Sequence, residues 1–125
     1  MEQRAPGHTA LDGTIYEQGM IDFQQRIAER IGALDYLNDP DASDKYEQLK
    51  AMEIACEAAV IFAERHADLA LEIREETADP ARKQELAEIA RICRKVPAHK
   101  PDTFHEALQM YWFVHLGTIT ELNGW

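Results

Sequence analysis

Basic residues are scarce: 13 Lys and Arg stand against 23 Asp and Glu, for a formal net charge of −10. That balance repels nucleic acid phosphates and anionic membranes, and no basic patch offsets it, so neither is expected as a partner. Cysteine is scarcer still. Cys56 and Cys93 each stand alone in a helix-like stretch, which excludes a disulfide framework and a CxxC zinc site and points to a reducing compartment. The longest apolar run is about half of the ~20 residues needed to cross a bilayer. The opening MEQRAPGH shows no basic-then-apolar signal pattern, and a cytoplasmic location is expected. There is no internal repeat, no low-complexity tract and no strand pattern after residue 14.

What is present is mostly helical punctuation. With 125 residues, 46% hydrophobic and 29% charged, the composition is that of one folded domain with a modest core. Residues 1–13 hold Pro6, Gly7 and Gly13 without a helical period and read as a loop. From about Thr14, the residues Ile15, Met20, Phe23, Ile27, Ile31 and Leu34 recur mostly three or four apart. They predict an amphipathic helix to about Ala33, weakened near its ends by Gly19 and Gly32. In LNDPDASDKYEQLK, Asn38 or Asp39 is placed to cap and Pro40 to sit in the first turn of a second helix over about 41–76. Its apolar band, from Leu49 to Ile73, is broad enough to require more than one neighbour, while Arg65, Glu72, Arg74, Glu75 and Glu76 form a wet face. Asp79-Pro80 repeats the cap-then-proline device for a third helix, with Leu86, Ile89, Ala90 and Cys93 inward, ending before Pro97. Thr103 and Glu106 match a capping box at the start of a fourth.

The fourth helix poses a problem of its own. Met110, Tyr111, Trp112, Phe113, Val114, Leu116 and Ile119 point in every direction around its axis, whereas a surface helix needs one apolar stripe. Such a segment expects protein on all sides.

Little of the polar inventory has catalytic spacing. Carboxylate-bridged metal sites in helical bundles use Glu-x-x-His pairs, but Glu64 and His66 are two apart, and His105-Glu106 is followed by Gln109 where a zinc-protease helix needs a histidine. These are expected to be helix-surface residues, with no metal bound. His115 reads as a neutral imidazole satisfied by a backbone carbonyl, and the two thiols as inert. That leaves RAPGHTALD, where Arg4, His8 and Asp12 flank a Pro-Gly corner. An arginine fork can hold a carboxylate or sulfonate and a histidine can bond a hydroxyl, but on spacing alone a solvated N-terminal loop is the better account of them.

Three extended stretches, RAPGHTALDGTIYEQGMIDF, LNDPDASDKYEQLKAMEIACEAAVIFAERHADLA and VPAHKPDTFHEALQMYWFVHLGTITELNGW, together resemble the glycyl radical enzymes, which include pyruvate formate-lyase, glycerol dehydratase, choline trimethylamine-lyase, isethionate sulfite-lyase and arylacetate decarboxylases. The resemblance spans the chain and implies a partial pyruvate formate-lyase-like domain, residues 1–125, with a substrate-pocket loop over 1–13 and a four-helix segment over 14–125. Family members are far longer, with a ten-stranded α/β barrel, a thiyl-forming cysteine on an inner loop and a radical-bearing glycine near the C-terminus. Cys56, Cys93, Gly117 and Gly124 lack those contexts. The resemblance therefore implies mainly α, antiparallel helices from the N-terminal half of such an enzyme, and a parent that covers the 110–119 surface.

The resemblance also places residues. Arg4 falls where pyruvate formate-lyase binds its substrate carboxylate, with Gly7 keeping the Arg-x-x-Gly spacing. His8 falls at a substrate-hydroxyl-binding histidine of glycerol dehydratase, and Trp125 at another of its substrate-contacting histidines, a departure that argues against a plain glycerol or propanediol dehydratase. With Asp12 these are the implied substrate-binding residues, and none is catalytic. A buried arginine favours a small anionic substrate over choline, for which Asp12 supplies only one carboxylate. The implied parent is a homodimer that carries a glycyl radical, installed by an activating enzyme with an iron–sulfur cluster and S-adenosylmethionine. It acts as a lyase, dehydratase, decarboxylase or formate C-acetyltransferase-like enzyme, and the chain alone is expected to be inactive and to bind no cofactor directly. Competing readings are a choline trimethylamine-lyase-type fragment, a non-enzymatic helical module that docks a partner through 110–119, and a bundle metalloprotein.

Overall fold

The computed structural model describes residues 11–121, with side chains to Thr118. A 3-10 helical turn (Asp12–Tyr16) is followed by helices α1 (Met20–Gly32), α2 (Ala42–Glu76), α3 (Pro80–Lys95) and α4 (Phe104–Glu121), with no strand among the described residues. At 35 residues α2 is about 52 Å long and is the spine on which the others pack. The α1 helix lies along its first half, α3 along its second, and α4 touches both α2 and α3.

Small side chains explain the closeness of α2 and α3. Ala63, Ala67 and Ala70 recur at four- and three-residue spacing and are buried against Leu86, Ala90 and Cys93, with Phe113 of α4 closing the cluster. A second cluster joins Ile15 of the 3-10 turn to Ile92 and Val96 at the end of α3 and to Met110 of α4. The broad apolar band on α2 thus serves three helices, as its width requires.

Helix starts follow the sequence signals unevenly. At α3 the expected device is present: Asp79 Oδ1 accepts from the Ala81 N–H at 3.0 Å and Pro80 is the first helical residue. At α2 it is displaced. Asp35 Oδ1 accepts from the Leu37 and Asn38 N–H groups, and Asp39 Oδ1 from the Asp41 N–H, so these side chains stabilise turns and the helix opens at Ala42, beyond Pro40.

The first helix also starts later than its periodicity suggests. Gly19 caps α1 in an extended conformation, and its N–H donates to Asp22 Oδ2 at 2.8 Å. The reason lies across the fold: the Met20 N–H donates to the Pro97 carbonyl and the Ile21 N–H to the Ala98 carbonyl, at 2.8 and 3.1 Å. This seats the start of α1 on the α3–α4 connection. A Cβ at Gly19 would lie 2.2 Å from the Ala98 oxygen, so this glycine is required by close approach of backbone and is no helix weakness.

The fourth helix is half covered. Phe113 is 3% exposed and Met110 fully buried, but Trp112 and Phe104 keep 52% and 80% of their surface in solvent, and Leu108 and Tyr111 are also exposed. The four helices shield one side of the apolar run and leave the other bare.

Gly19→Ala is expected to lower unfolding stability by about 1–3 kcal/mol, because fixed backbone at Ala98 has to move. Gly32→Ala, with nothing within 4 Å of the added methyl, is expected to be neutral or stabilising by up to ~1 kcal/mol. Urea titrations of the two variants provide the check; equal losses would remove the role assigned to Gly19.

Candidate functional site

Of the residues singled out for binding, Arg4, His8 and Trp125 lie outside the described residues. Asp12 is described: it is exposed and opens the 3-10 turn with φ 50°, directly after Leu11 at φ 61°. Two successive left-handed residues, one a leucine, cost about 1–2 kcal/mol each and bend the chain sharply where the pocket loop was expected. Ile15, three residues on, anchors the turn in the second core cluster. Leu11 lines a groove of about 910 Å³ bounded by α1, α2 and α4.

A buried carboxylate fixes the connection between α3 and α4. Glu106 is 2% exposed and is the buried charged residue of the described chain. Its Oε2 accepts from Lys95 Nζ at 2.6 Å and from the Asp102 N–H at 2.8 Å, and its Oε1 accepts from two Arg91 nitrogens at 3.1 Å. The Glu106 N–H in turn donates to Thr103 Oγ1 at 3.2 Å. The capping box is thus present with its return bond shifted to Asp102. Sequence reading placed Glu106 on the helix surface; it is interior because Arg91 and Lys95, four apart on α3, turn toward it and saturate its lone pairs. That spacing, opposite a capping-box glutamate, was the available signal. Lys95, followed by the Asp102 N–H and then Arg91, holds the Glu106 carboxyl down to about 2, while Lys95 itself is raised by Asp102 and Glu106. A group so tightly held as an anion is a strut and not a proton carrier at neutral pH.

The other polar candidates are also accounted for. His66 donates through Nδ1 to the Phe62 carbonyl at 2.8 Å and meets Phe62 and Phe113 edge-on. His115 stacks on Tyr111, with ring centres 5.5 Å apart. Burial raises both thiols, half-buried Cys56 and buried Cys93, which keeps them protonated at neutral pH. No group of three or more His, Cys, Asp or Glu among the described residues is placed to hold a metal, and no described helix is long and apolar enough to cross a membrane. Gly117 lies within α4, not in a glycine loop. Of the residues that the resemblance implies for substrate binding, Asp12 alone falls among the described residues.

The pyruvate formate lyase-like family profile matches residues 1–125. The chain belongs to that family, the glycyl radical enzymes. It is 54% identical to the trans-4-hydroxy-L-proline dehydratase of Clostridioides difficile over 125 residues, all of this chain and 16% of that protein. It is 38% identical to the isethionate sulfite-lyase of Nitratidesulfovibrio vulgaris over 102 residues, 82% of this chain and 12% of that one. The crystal structure of the C. difficile dehydratase with trans-4-hydroxy-L-proline bound superposes with a TM-score of 0.93 over the whole chain, 16% of its own length. The glycerol-bound B12-independent glycerol dehydratase of Clostridium butyricum superposes at 0.86, with 37% identity, over 94% of this chain and 15% of that one. The chain thus spans about one sixth of the length of its first relative.

The Glu106 cluster yields a pH prediction. The folded-state pKa of about 2 lies below the ordinary 4.5, so the contribution is complete above about pH 4.5 and disappears as pH falls toward 2. Glu106→Gln is expected to cost about 1–3 kcal/mol at pH 7, with the gap to the parent chain closing between those two pH values. Denaturant titrations of both proteins from pH 7 to 2 read this directly; a constant gap would show that charge is not what Glu106 contributes.

Proposed function

We propose that the chain is part of a glycyl radical dehydratase whose substrate is trans-4-hydroxy-L-proline or a close hydroxylated amino acid. The observation that carries this reading is 54% identity to the C. difficile dehydratase along all 125 residues, against 38% over 102 to the isethionate lyase. On this reading the Arg4 guanidinium binds the substrate carboxylate through two parallel hydrogen bonds, which meets the expectation of a small anionic substrate. His8 reaches the hydroxyl, Asp12 is near enough in sequence to offer an anion to the ring ammonium, and Trp125 forms an apolar wall. The parent's glycyl radical, installed by its activating enzyme, supplies hydrogen-atom abstraction when present. The residues of this chain hold the substrate and exclude water, contributing positioning. The described side chains suit that division, since Lys95, Arg91 and the Asp102 N–H hold Glu106 as an anion and Ile15 anchors the 3-10 turn in the core. The 125 residues alone are expected to be catalytically silent.

The test replaces the matching residues of the C. difficile dehydratase with this chain and activates the chimera anaerobically. Dehydration of trans-4-hydroxy-L-proline is expected, with Arg4→Lys raising KM by about 10–100-fold through loss of the planar fork. A chimera that carries a glycyl radical by electron paramagnetic resonance, yet turns over isethionate and not hydroxyproline, would overturn the substrate assignment. Turnover by the 125-residue chain alone would overturn the division of labour.

A further inference from the structure

The left-handed pair at Leu11 and Asp12 has no local cause. Their φ angles are 61° and 50°, and no other described non-glycine residue has a positive φ. Gly13, the next residue, could take this conformation without cost and does not adopt it, although nothing lies within 4 Å of the place its Cβ would fill. Burial does not offset the strain either: Leu11 keeps 44% of its surface in solvent and Asp12 is exposed. Nor does a helix start require it. The residues that cap α1 and α3, Gly19 and Asp79, are extended, and Asp41 ahead of α2 has φ −95°.

What holds the pair lies on its C-terminal side. The Leu11 carbonyl accepts from the Thr14 N–H at 3.2 Å, and Ile15, 3% exposed, is fixed among Ile92, Val96 and Met110. The Thr14 carbonyl accepts from the Glu17 and Gln18 N–H groups, both at 3.0 Å, and the Met20 N–H donates to the Pro97 carbonyl. The segment from Leu11 to Met20 is thus tied to the core, and backbone strain persists where its surroundings over-determine it. The strain sets the direction of the backbone that carries Asp12, and the direction in which the chain joins Leu11 to His8 and Arg4, three and seven residues earlier.

We propose that Leu11 is a positioning residue for substrate binding, whose left-handed backbone fixes the Asp12 carboxylate and the approach of the chain from Arg4 and His8 relative to α3 and α4. The inference rests on the dehydratase reading above, but its test is equilibrium binding, which needs no radical. Calorimetry on the chimera before activation gives the dissociation constant of trans-4-hydroxy-L-proline for Leu11→Asn, Leu11→Val and Leu11→Gly. Asparagine enters the left-handed region readily, a β-branched residue hardly at all, and glycine enters it without being held there. Leu11→Asn is expected to bind within about twofold of the parent chimera although the apolar side chain is gone, and Leu11→Val about tenfold or more weaker. Leu11→Gly is expected to bind about 3–10-fold weaker while its urea midpoint is unchanged or raised, which separates positioning from stability because the strain is relieved.

Equal weakening by Leu11→Asn and Leu11→Val would show that the leucine side chain matters and not its backbone, and unchanged affinity in all three variants would leave the turn no role in binding; either overturns the proposal. Should Leu11→Val fail to fold, Leu11→Asn against Leu11→Gly decides: tight and weak binding respectively support the proposal, and equal affinities overturn it. Turnover after activation is scored separately. A chimera that dehydrates hydroxyproline with an affinity flat across the series overturns the positioning role and leaves the enzyme reading standing. One whose affinity follows the series but that yields no dehydration product supports the positioning role and sinks the enzyme reading.

Discussion

One buried carboxylate holds the architecture to a single reference point. Glu106 gathers Lys95 and Arg91 from α3, the Asp102 N–H from the connection and its own helix start into one cluster. Interior charge is costly unless each lone pair finds a donor, and here both oxygens are satisfied. The consequence is positional. With the α3–α4 connection fixed, the Pro97 and Ala98 carbonyls have a definite place, and the start of α1 hangs from them through Met20 and Ile21. Gly19 allows that approach. The segment leading out of the expected pocket loop and the helix leading toward residue 125 are therefore referred to the same strut.

This coupling explains why the signals legible in the sequence were the local ones. Asp79-Pro80 read correctly because a cap and a first-turn proline act on the backbone within two residues. The Asn38-Asp39-Pro40 signal is built from the same residue types, yet Asp35 and Asp39 bond to turn N–H groups first, and competition between two local uses of one side chain is not resolved by spacing. Gly19 looked like a flaw because its justification, the Ala98 oxygen, is 79 residues away in sequence. Glu106 looked like surface for a related reason. Its capping-box half is visible in Thr103-x-x-Glu106, while its burial depends on two cations from another helix. The substrate-binding roles implied for Arg4, His8 and Trp125 came from resemblance to a family, since loop positions carry no periodicity to read, and of the implied set only Asp12 falls within the described residues.

The apolar run of α4 divides along the same line between local pattern and distant cause. Periodicity alone predicted that it would be surrounded. The structure covers Met110 and Phe113 and leaves Trp112, Leu108 and Phe104 in solvent. On α2 the split recurs: Ala63, Ala67 and Ala70 are buried, while Met52, Ile54 and Leu69 are exposed. Scattered apolar exposure is ordinary, but these residues continue around two helices that flank a groove with an arginine rim.

Two different physical requirements are therefore superimposed on one short sequence. The alanine stripe, the Glu106 cluster and the Gly19 contact are satisfied within the described residues, and they supply internal order with small side chains and one ion cluster. The outer faces of α2 and α4 carry large side chains that keep about half or more of their surface in water where they stand. Exposed Trp, Phe, Met and Leu contribute stability only when a neighbour removes them from water, at about 25 cal/mol per Å² of apolar surface. An ordered inner half and a bare outer half is the pattern of a layer whose fold is organised from within, by small side chains and one ion cluster, while its outer apolar side chains still face water.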